Sequence, residues 1–194
     1  SIIFQDPMTS LNPLRTVGFH LREFPRRFQP KLTKEEREVA ILEMLDKVGI
    51  SNPELRLKQF PFEFSGGMRQ RIMIAMALLT KPDMLIADEP TTALDVTIQA
   101  QILALVKELQ EQLGLTVVIV SHDFSVIAGI CDQVYVMRNG LVLEHAPVDT
   151  IFAQSLHPYT QSLLKAARLE ASQGPVPADR DDSQLVQVAP EHWV

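Results

Sequence analysis

The chain has 194 residues, 46% of them hydrophobic and 22% charged, a balance that excludes a disordered or fibrous polymer and suits one globular domain with a core. Eighteen Lys and Arg against 24 Asp and Glu leave a formal charge of -6, which disfavours nucleic acid or an anionic bilayer as a partner of the whole molecule. The single cysteine, Cys131, excludes an internal disulfide and fits a reducing compartment. No apolar run approaches the roughly 18 residues of a membrane span, and nothing at the start resembles a signal peptide. The chain reads as soluble and cytoplasmic.

Ser1 to Phe4 already look like a buried strand, without an initiator methionine or a leading turn, so the sequence reads as N-terminally incomplete. "QDPMTSLNPLRTVG" follows, and Asp6-Pro7 and Asn12-Pro13 mark it as a loop. Leu11, Leu14, Val17, Phe19, Phe24 and Phe28 show no helical or strand period, which suits a surface groove, the other reading being that they pack internally within the helical part. A helix is predicted from Thr33, where Thr33 and Glu36 form a capping box; Ile41, Leu42, Leu45 and Val48 form its apolar stripe and Gly49 stops it.

Gly66 to Leu79 is apolar nearly all round after Arg71, the pattern of a buried helix, and Ser65 is its N-cap. "PDMLIADEP" then predicts a fully buried parallel strand with its functional end at Asp88. From Val96 to Leu113, the residues Ile98, Ile102, Leu105, Val106, Leu109 and Leu113 share a helical face that Gly114 closes. The strand "LTVVIV" ends in "SHD", a helical turn follows, and Asn139-Gly140 between two apolar runs predicts a hairpin. From about Leu169 the composition becomes that of a linker, ending in the short apolar segment "LVQVAPEHWV".

This order indicates an α/β fold with a mostly parallel sheet. Binding residues in such folds gather at the carboxyl ends of strands. Gln5, Asp88, Glu89 and His122 each lie at or just past such an end.

A carboxylate ending a buried strand is a common way to hold Mg²⁺ beside a nucleotide, and the carboxylate after it is placed to activate water. An isolated Asp-Glu pair also terminates strands without any chemistry. His122 alone equally suits a structural histidine, and the other four histidines lack metal-ligand spacing. "FSGGMRQR", Phe64 to Arg71, has the build of a phosphate-binding helix N-terminus but no lysine.

Taken together, "FQDP", "FSGGMRQR", "LIADEPTTALD" and "IVSHD" resemble the ATP-binding-cassette (ABC) ATPases. The pieces occur in the family's order, with about 20 residues from the glycines to the Asp-Glu pair and 33 from Glu89 to His122. The resemblance covers roughly residues 1 to 165. It places the Q-loop at Gln5, the signature at Ser65 to Gln70, the Walker B strand at Met84 to Asp88, the D-loop at Ala93 to Asp95, and the switch histidine at His122.

"IFQDPMTSLNPLRTVG" and "HPYTQSLL" further resemble ATPase subunits of bacterial oligopeptide and dipeptide importers, whose relatives import nickel and glutathione. The resemblance implies a RecA-like, P-loop NTPase core at about 81–145 with a helical subdomain at about 8–80. These form a partial ATPase domain at 1–168, followed by a linker and tail at 169–194.

The same resemblance implies ATP and Mg²⁺ as cofactors. Asp88 would hold Mg²⁺ through water, Glu89 would be the general base, and Gln5 would sense both the metal and the attacking water. His122 would contact the γ-phosphate, Asp95 would bridge two subunits, and Ser65, Gly66, Gly67 and Gln70 would meet a nucleotide held by the other subunit. The implied partners are a second ATPase subunit, identical or paralogous, the transmembrane permease subunits and, indirectly, a substrate-binding protein. The groove between Gln5 and Lys34 would meet the membrane partner. The implied location is peripheral, on the cytoplasmic face of the membrane.

Two features depart from the family pattern. The motif G-x-x-x-x-G-K-[ST] does not occur, and the family places it before the Q-loop, so it is expected upstream of Ser1 and the chain alone is expected to be inactive. Cys131 is the only cysteine and precedes "HPYTQ", where many of these importers later carry a cysteine-rich segment, so no iron–sulfur cluster is expected. Two other readings are a soluble superfamily member acting on DNA, for which the basic "REFPRRF" is the one local argument, and a non-catalytic interaction module. The -6 charge opposes the first, and the intact motifs oppose the second.

Overall fold

The computed structural model describes residues 1–5, 10–92, 94–167 and 185–194. The expected turn at Asp6-Pro7 and most of the expected linker, residues 169–184, lie outside this set. The chain divides into two compact units, Ser1–Val120 and Ser121–Val194, each with its own sheet.

In the first unit, strand β1 (Ile2–Ile3) is followed by helix α1 (Val17–Phe28), a finding that corrects the expectation of an irregular loop. Thr16 caps it, its side-chain oxygen accepting from Phe19 N at 3.3 Å. The next two N–H groups are satisfied from outside the helix, Val17 N donating to Gln59 O and Gly18 N to Leu57 O, both at 2.9 Å. A Cβ on Gly18 would fall 2.6 Å from Leu57 O, so this approach requires glycine. Val17, Leu21 and Pro25 are buried at i, i+4 and i+8, while Leu14, Phe19 and Phe28 stay exposed. Pro25 hid the period, because a proline inside an apolar pattern reads as a break; here it occupies the third turn and its carbonyl accepts from Gln29 N at 2.9 Å.

Helix α2 (Lys34–Lys47) begins with the predicted capping box: Glu36 N donates to Thr33 Oγ1 at 3.2 Å, and Thr33 N donates to Glu36 Oε2 at 2.7 Å. Gly49, at φ +76°, ends it in the left-handed region. A short helix α3 (Pro53–Arg56) and a 3₁₀ turn (Pro61–Glu63) lead to helix α4 (Gly66–Leu78). Ile72, Ile74 and Ala75 of α4 are fully buried. Each isoleucine removed from water contributes about 1.5–3 kcal/mol, which makes α4 the centre of this unit's core. Between β1 and the next strand the ordered elements are all helical.

Strand β2 (Met84–Asp88) has the predicted bounds and lies between β1 and β3 (Thr116–Val120), both parallel to it. The register pairs Ile3 with Ala87 and Asp88 with Val120. Burial of β2 alternates, unlike the expected full burial: Leu85 and Ala87 are enclosed, whereas Met84 is 46% exposed, with Val118 and Val120 of β3 exposed beside it. Ile2 is exposed as well, so only Ile3 of the first strand belongs to the core. The enclosed residues of one face belong to the core, whereas the opposite face presents branched apolar side chains to the outside. Helix α5 (Val96–Leu113) links β2 to β3, buries Ile102, Leu105, Val106 and Leu109, and ends at Gly114 in the left-handed region.

In the second unit, helix α6 (Phe124–Ile130) precedes strands β4 (Gln133–Arg138) and β5 (Leu141–Pro147). The predicted hairpin turn has positive φ at Asn139 and Gly140, +52° and +82°, as a primed turn requires. Helices α7 (Val148–Gln154) and α8 (Pro158–Ala167) cover a small core of Val136, Ala146, Ile151 and Leu164.

The C-terminal segment is more than a tail. Strands β6 (Gln187–Ala189) and β7 (His192–Trp193) extend this antiparallel sheet in the order β4-β5-β7-β6. The buried Glu144 carboxylate holds the addition in place, accepting from His192 Nε2 at 2.7 Å, Leu156 N at 2.8 Å and His157 N at 3.3 Å. The rings of Tyr135, His145 and Trp193 stack in sequence, with centroids 3.9 and 5.0 Å apart.

Candidate functional site

Asp88 is the last residue of β2 and shares the face of Met84 and Ile86. The chain turns sharply one residue later. Glu89 has φ +44°, a left-handed conformation that costs a non-glycine residue about 1–3 kcal/mol and that collects at functional sites. Backbone bonds hold it there: Glu89 N donates to Val120 O at 2.8 Å, and Glu89 O accepts from Thr92 N at 3.2 Å. Pro90, at the second position of this four-residue turn, has the fixed φ the turn needs.

The turn carries the Glu89 side chain out of the strand's alternation and into a small polar cluster. Glu89 Oε2 accepts from Gln5 Nε2 at 2.7 Å and from Thr92 Oγ1 at 2.8 Å. Gln5 lies two residues past β1, so adjacent parallel strands deliver it and Glu89 to the same end of the sheet. Thr92 was not among the residues singled out in the sequence. Its signal was there, as a hydroxyl residue three after the acid with proline between them.

Ser65 caps α4, its Oγ accepting from Met68 N at 3.3 Å. The glycines after it have a packing reason: a Cβ on Gly67 would fall 2.5 Å from Ile98 Cγ2, and one on Gly66 3.2 Å from Leu94 Cδ2. The first turn of α4 therefore lies against the start of α5, whose own cap is Asp95, with Oδ1 accepting from Ile98 N at 3.0 Å. Leu94 and Ile98 thus lie against the serine–glycine turn.

Gln70 differs from the expectation that it belongs to the binding surface. It is 1% exposed, because three and four residues of helix separate it from the buried Gly67 and Ile74 and place all three on the inward face. Its Nε2 has no hydrogen-bond partner among the described residues. His122, the second residue of the second unit, is exposed. The turn around it is fixed by Ser121 Oγ, which accepts from Asp123 N at 3.0 Å, and by Asp123 Oδ1, which accepts from Ser125 N at 2.9 Å and caps α6. Of the D-loop residues, Ala93 lies outside the described set.

A parallel α/β sheet with adjacent carboxylates at the end of a strand, together with a capped, glycine-initiated helix, is the arrangement that the resemblance to the ATP-binding-cassette ATPases implies. Comparison with known proteins agrees. Residues 1–92 match the family described as "ABC transporter". The chain is 55% identical over 164 residues to the dipeptide transport ATP-binding protein DppD of Bacillus subtilis, covering 84% of this chain and 49% of that protein. It is 51% identical over 164 residues to the oligopeptide transport ATP-binding protein AmiE of Streptococcus pneumoniae, covering 84% and 46%. Among solved structures, the ATP-binding cassette MJ0796, described as a dimeric post-hydrolysis state bound to ADP and Pi, superposes with a TM-score of 0.64 at 30% identity, covering 76% of this chain and 62% of that one. The chain belongs to the ATP-binding-cassette ATPases, and the relatives it matches here are named as ATP-binding proteins of oligopeptide and dipeptide transport. It spans about half the length of the curated relatives it matches.

Proposed function

We propose that this chain supplies the hydrolytic and signature elements of an ATP-hydrolysing subunit in an importer of peptides or related small solutes, working at a head-to-tail interface between two such subunits. The observation that carries this reading is the Glu89 carboxylate, presented by a left-handed turn at the end of the central parallel strand and bonded by Gln5 Nε2. In this reading Glu89 takes the proton of the attacking water, and Gln5 ties that carboxylate to the segment that follows β1.

The residues present fit Mg²⁺ and the phosphate end of ATP. Mg²⁺ is usually bound by one or two carboxylates and otherwise by water and phosphate oxygens, and Asp88 at the strand end offers such a carboxylate. Mg²⁺, when bound, neutralises charge on the phosphoryl oxygens. Ser65 and the first-turn N–H groups of α4, at Gly66 and Gly67, suit an anion, here the γ-phosphate of a nucleotide held chiefly by the second subunit. His122 is proposed to contact the γ-phosphate of a bound ATP. Asp95 bridges the subunits while capping its own helix.

The partners proposed are a second ATPase subunit, permease subunits in the membrane and, through them, a substrate-binding protein. Among the described residues no helix is long and apolar enough to cross a membrane, in keeping with a peripheral position on the cytoplasmic face. Leu14, Phe19 and Phe28, exposed around α1, form the surface proposed to meet the permease.

The test is Glu89→Gln in the full-length protein assembled with its partners. ATP turnover should be abolished while ATP binding persists, because only the proton acceptor is lost. Near-normal turnover would remove Glu89 from the role of general base.

A further inference from the structure

We infer that Thr92 is a positioning residue for the Glu89 carboxylate, acting through its hydroxyl. The inference rests on the proposed role of Glu89 and adds to it a group that orients the base. A glutamate side chain ends in a torsion with a broad, nearly two-fold preference, so its carboxylate rotates freely unless donors hold it. Here two donors meet on a single oxygen: Gln5 Nε2 at 2.7 Å and Thr92 Oγ1 at 2.8 Å, both on Oε2. They arrive by different routes. Gln5 comes across the sheet from the segment after β1, and Thr92 comes from the same turn that fixes the glutamate backbone. Two convergent donors on Oε2 hold the carboxylate plane and so aim its other oxygen.

The backbone and side-chain contributions of Thr92 are separable. Its N–H donates to Glu89 O at 3.2 Å and closes the turn, whatever the side chain. Its Oγ1 alone reaches the carboxylate. Branching at Cβ restricts χ1, so the hydroxyl is held ready with less freedom than a serine would keep. The two donors also differ in exposure: Gln5 is exposed and outside regular structure, whereas Thr92 is half-buried beside the buried Thr91.

The test is Thr92→Val, which keeps the shape and the turn-closing N–H and removes only the hydroxyl, compared with Thr92→Ser, which restores it. In the full-length protein labelled with ¹³C at glutamate carboxyls, the Glu89 signal, assigned by its loss in Glu89→Gln, should shift in Thr92→Val and return towards its original position in Thr92→Ser. An unmoved signal in Thr92→Val overturns the inference. In the assembled transporter, Thr92→Val should lower kcat for ATP about tenfold, as expected for loss of one hydrogen bond to a charged group, with KM for ATP within about twofold. Thr92→Ser should recover most of that loss. Equal kcat in Thr92→Val and the parent overturns the inference, as does a loss that appears in KM alone. If Glu89→Gln kept its turnover, the reading of Glu89 as base would fail while the carboxyl signal still decided whether Thr92 positions it.

Discussion

Gly67 and Ile98 approach so closely that a Cβ on the glycine would fall 2.5 Å from Ile98 Cγ2, inside any real carbon–carbon contact. The first turn of the signature helix is thereby set against the first turn of α5. Gly67→Ala should destabilise the chain by about 1–3 kcal/mol, the usual cost of overpacking. Ile98→Ala removes the opposing methyl, so the double variant should cost less than the two single changes added together. Chemical denaturation of the four proteins measures this, and strict additivity would show that the glycine has another reason.

Glu144 is the acceptor on which the C-terminal strand depends. Glu144→Ala leaves His192 Nε2 and the N–H groups of Leu156 and His157 without their carboxylate. A loss of about 1–3 kcal/mol is expected for leaving a buried donor such as His192 Nε2 unsatisfied. Trp193 is the only tryptophan of the chain, so its emission reports the site directly. A red shift at denaturant concentrations where the parent keeps its blue emission is the expected result.

His145 lies between the rings of Tyr135 and Trp193, and burial lowers its pKa below the usual 6.5, with nearby His192 adding to the effect and Glu191 opposing it. The folded state therefore favours the neutral ring. This contribution to stability is complete above the unfolded pKa and is lost as pH falls from about 6.5 through the folded value. Trp193 emission should show weaker protection of the second unit across that window, and His145→Phe should flatten the dependence. A variant with the unchanged pH profile would place the titration elsewhere.

The surface around α1 makes a prediction about partners. Single cysteines at Leu14, Phe19 and Phe28, which are exposed, should crosslink to engineered cysteines in the permease subunits with a yield that depends on ATP. Cysteines at Val17 and Leu21, which are fully buried, should not. Efficient crosslinking from the Leu141 hairpin, with none from α1, would move the docking face to the second unit.

At several caps and turns, where the bond spans only three or four residues, the sequence determined the local structure. The Thr33 and Glu36 capping box, the Ser65 cap of α4, the Gly49 and Gly114 stops and the Asn139-Gly140 turn all have their cause and effect within one turn of chain. Gln5 and Glu89 could be singled out because polar side chains at the carboxyl ends of buried strands stand apart from the apolar runs before them, and the two meet in one hydrogen bond.

Relations across long stretches of chain belonged to the tertiary structure. Helix α1 reads as a loop because Pro25 interrupts its pattern, and its first N–H groups are satisfied by carbonyls some 40 residues away, at Leu57 and Gln59. The segment 187–193 reads as a tail because a two- or three-residue strand has too little pattern to show; it is ordered by Glu144, 48 residues before His192. Gln70 looks like a surface donor within a polar motif, yet helical rotation places it inside. Thr92 gained its candidate role only when Gln5, 84 residues before Glu89, was found on the same carboxylate oxygen. A side chain's type is written at its own position, whereas its burial and its partner depend on which distant residues the fold brings beside it.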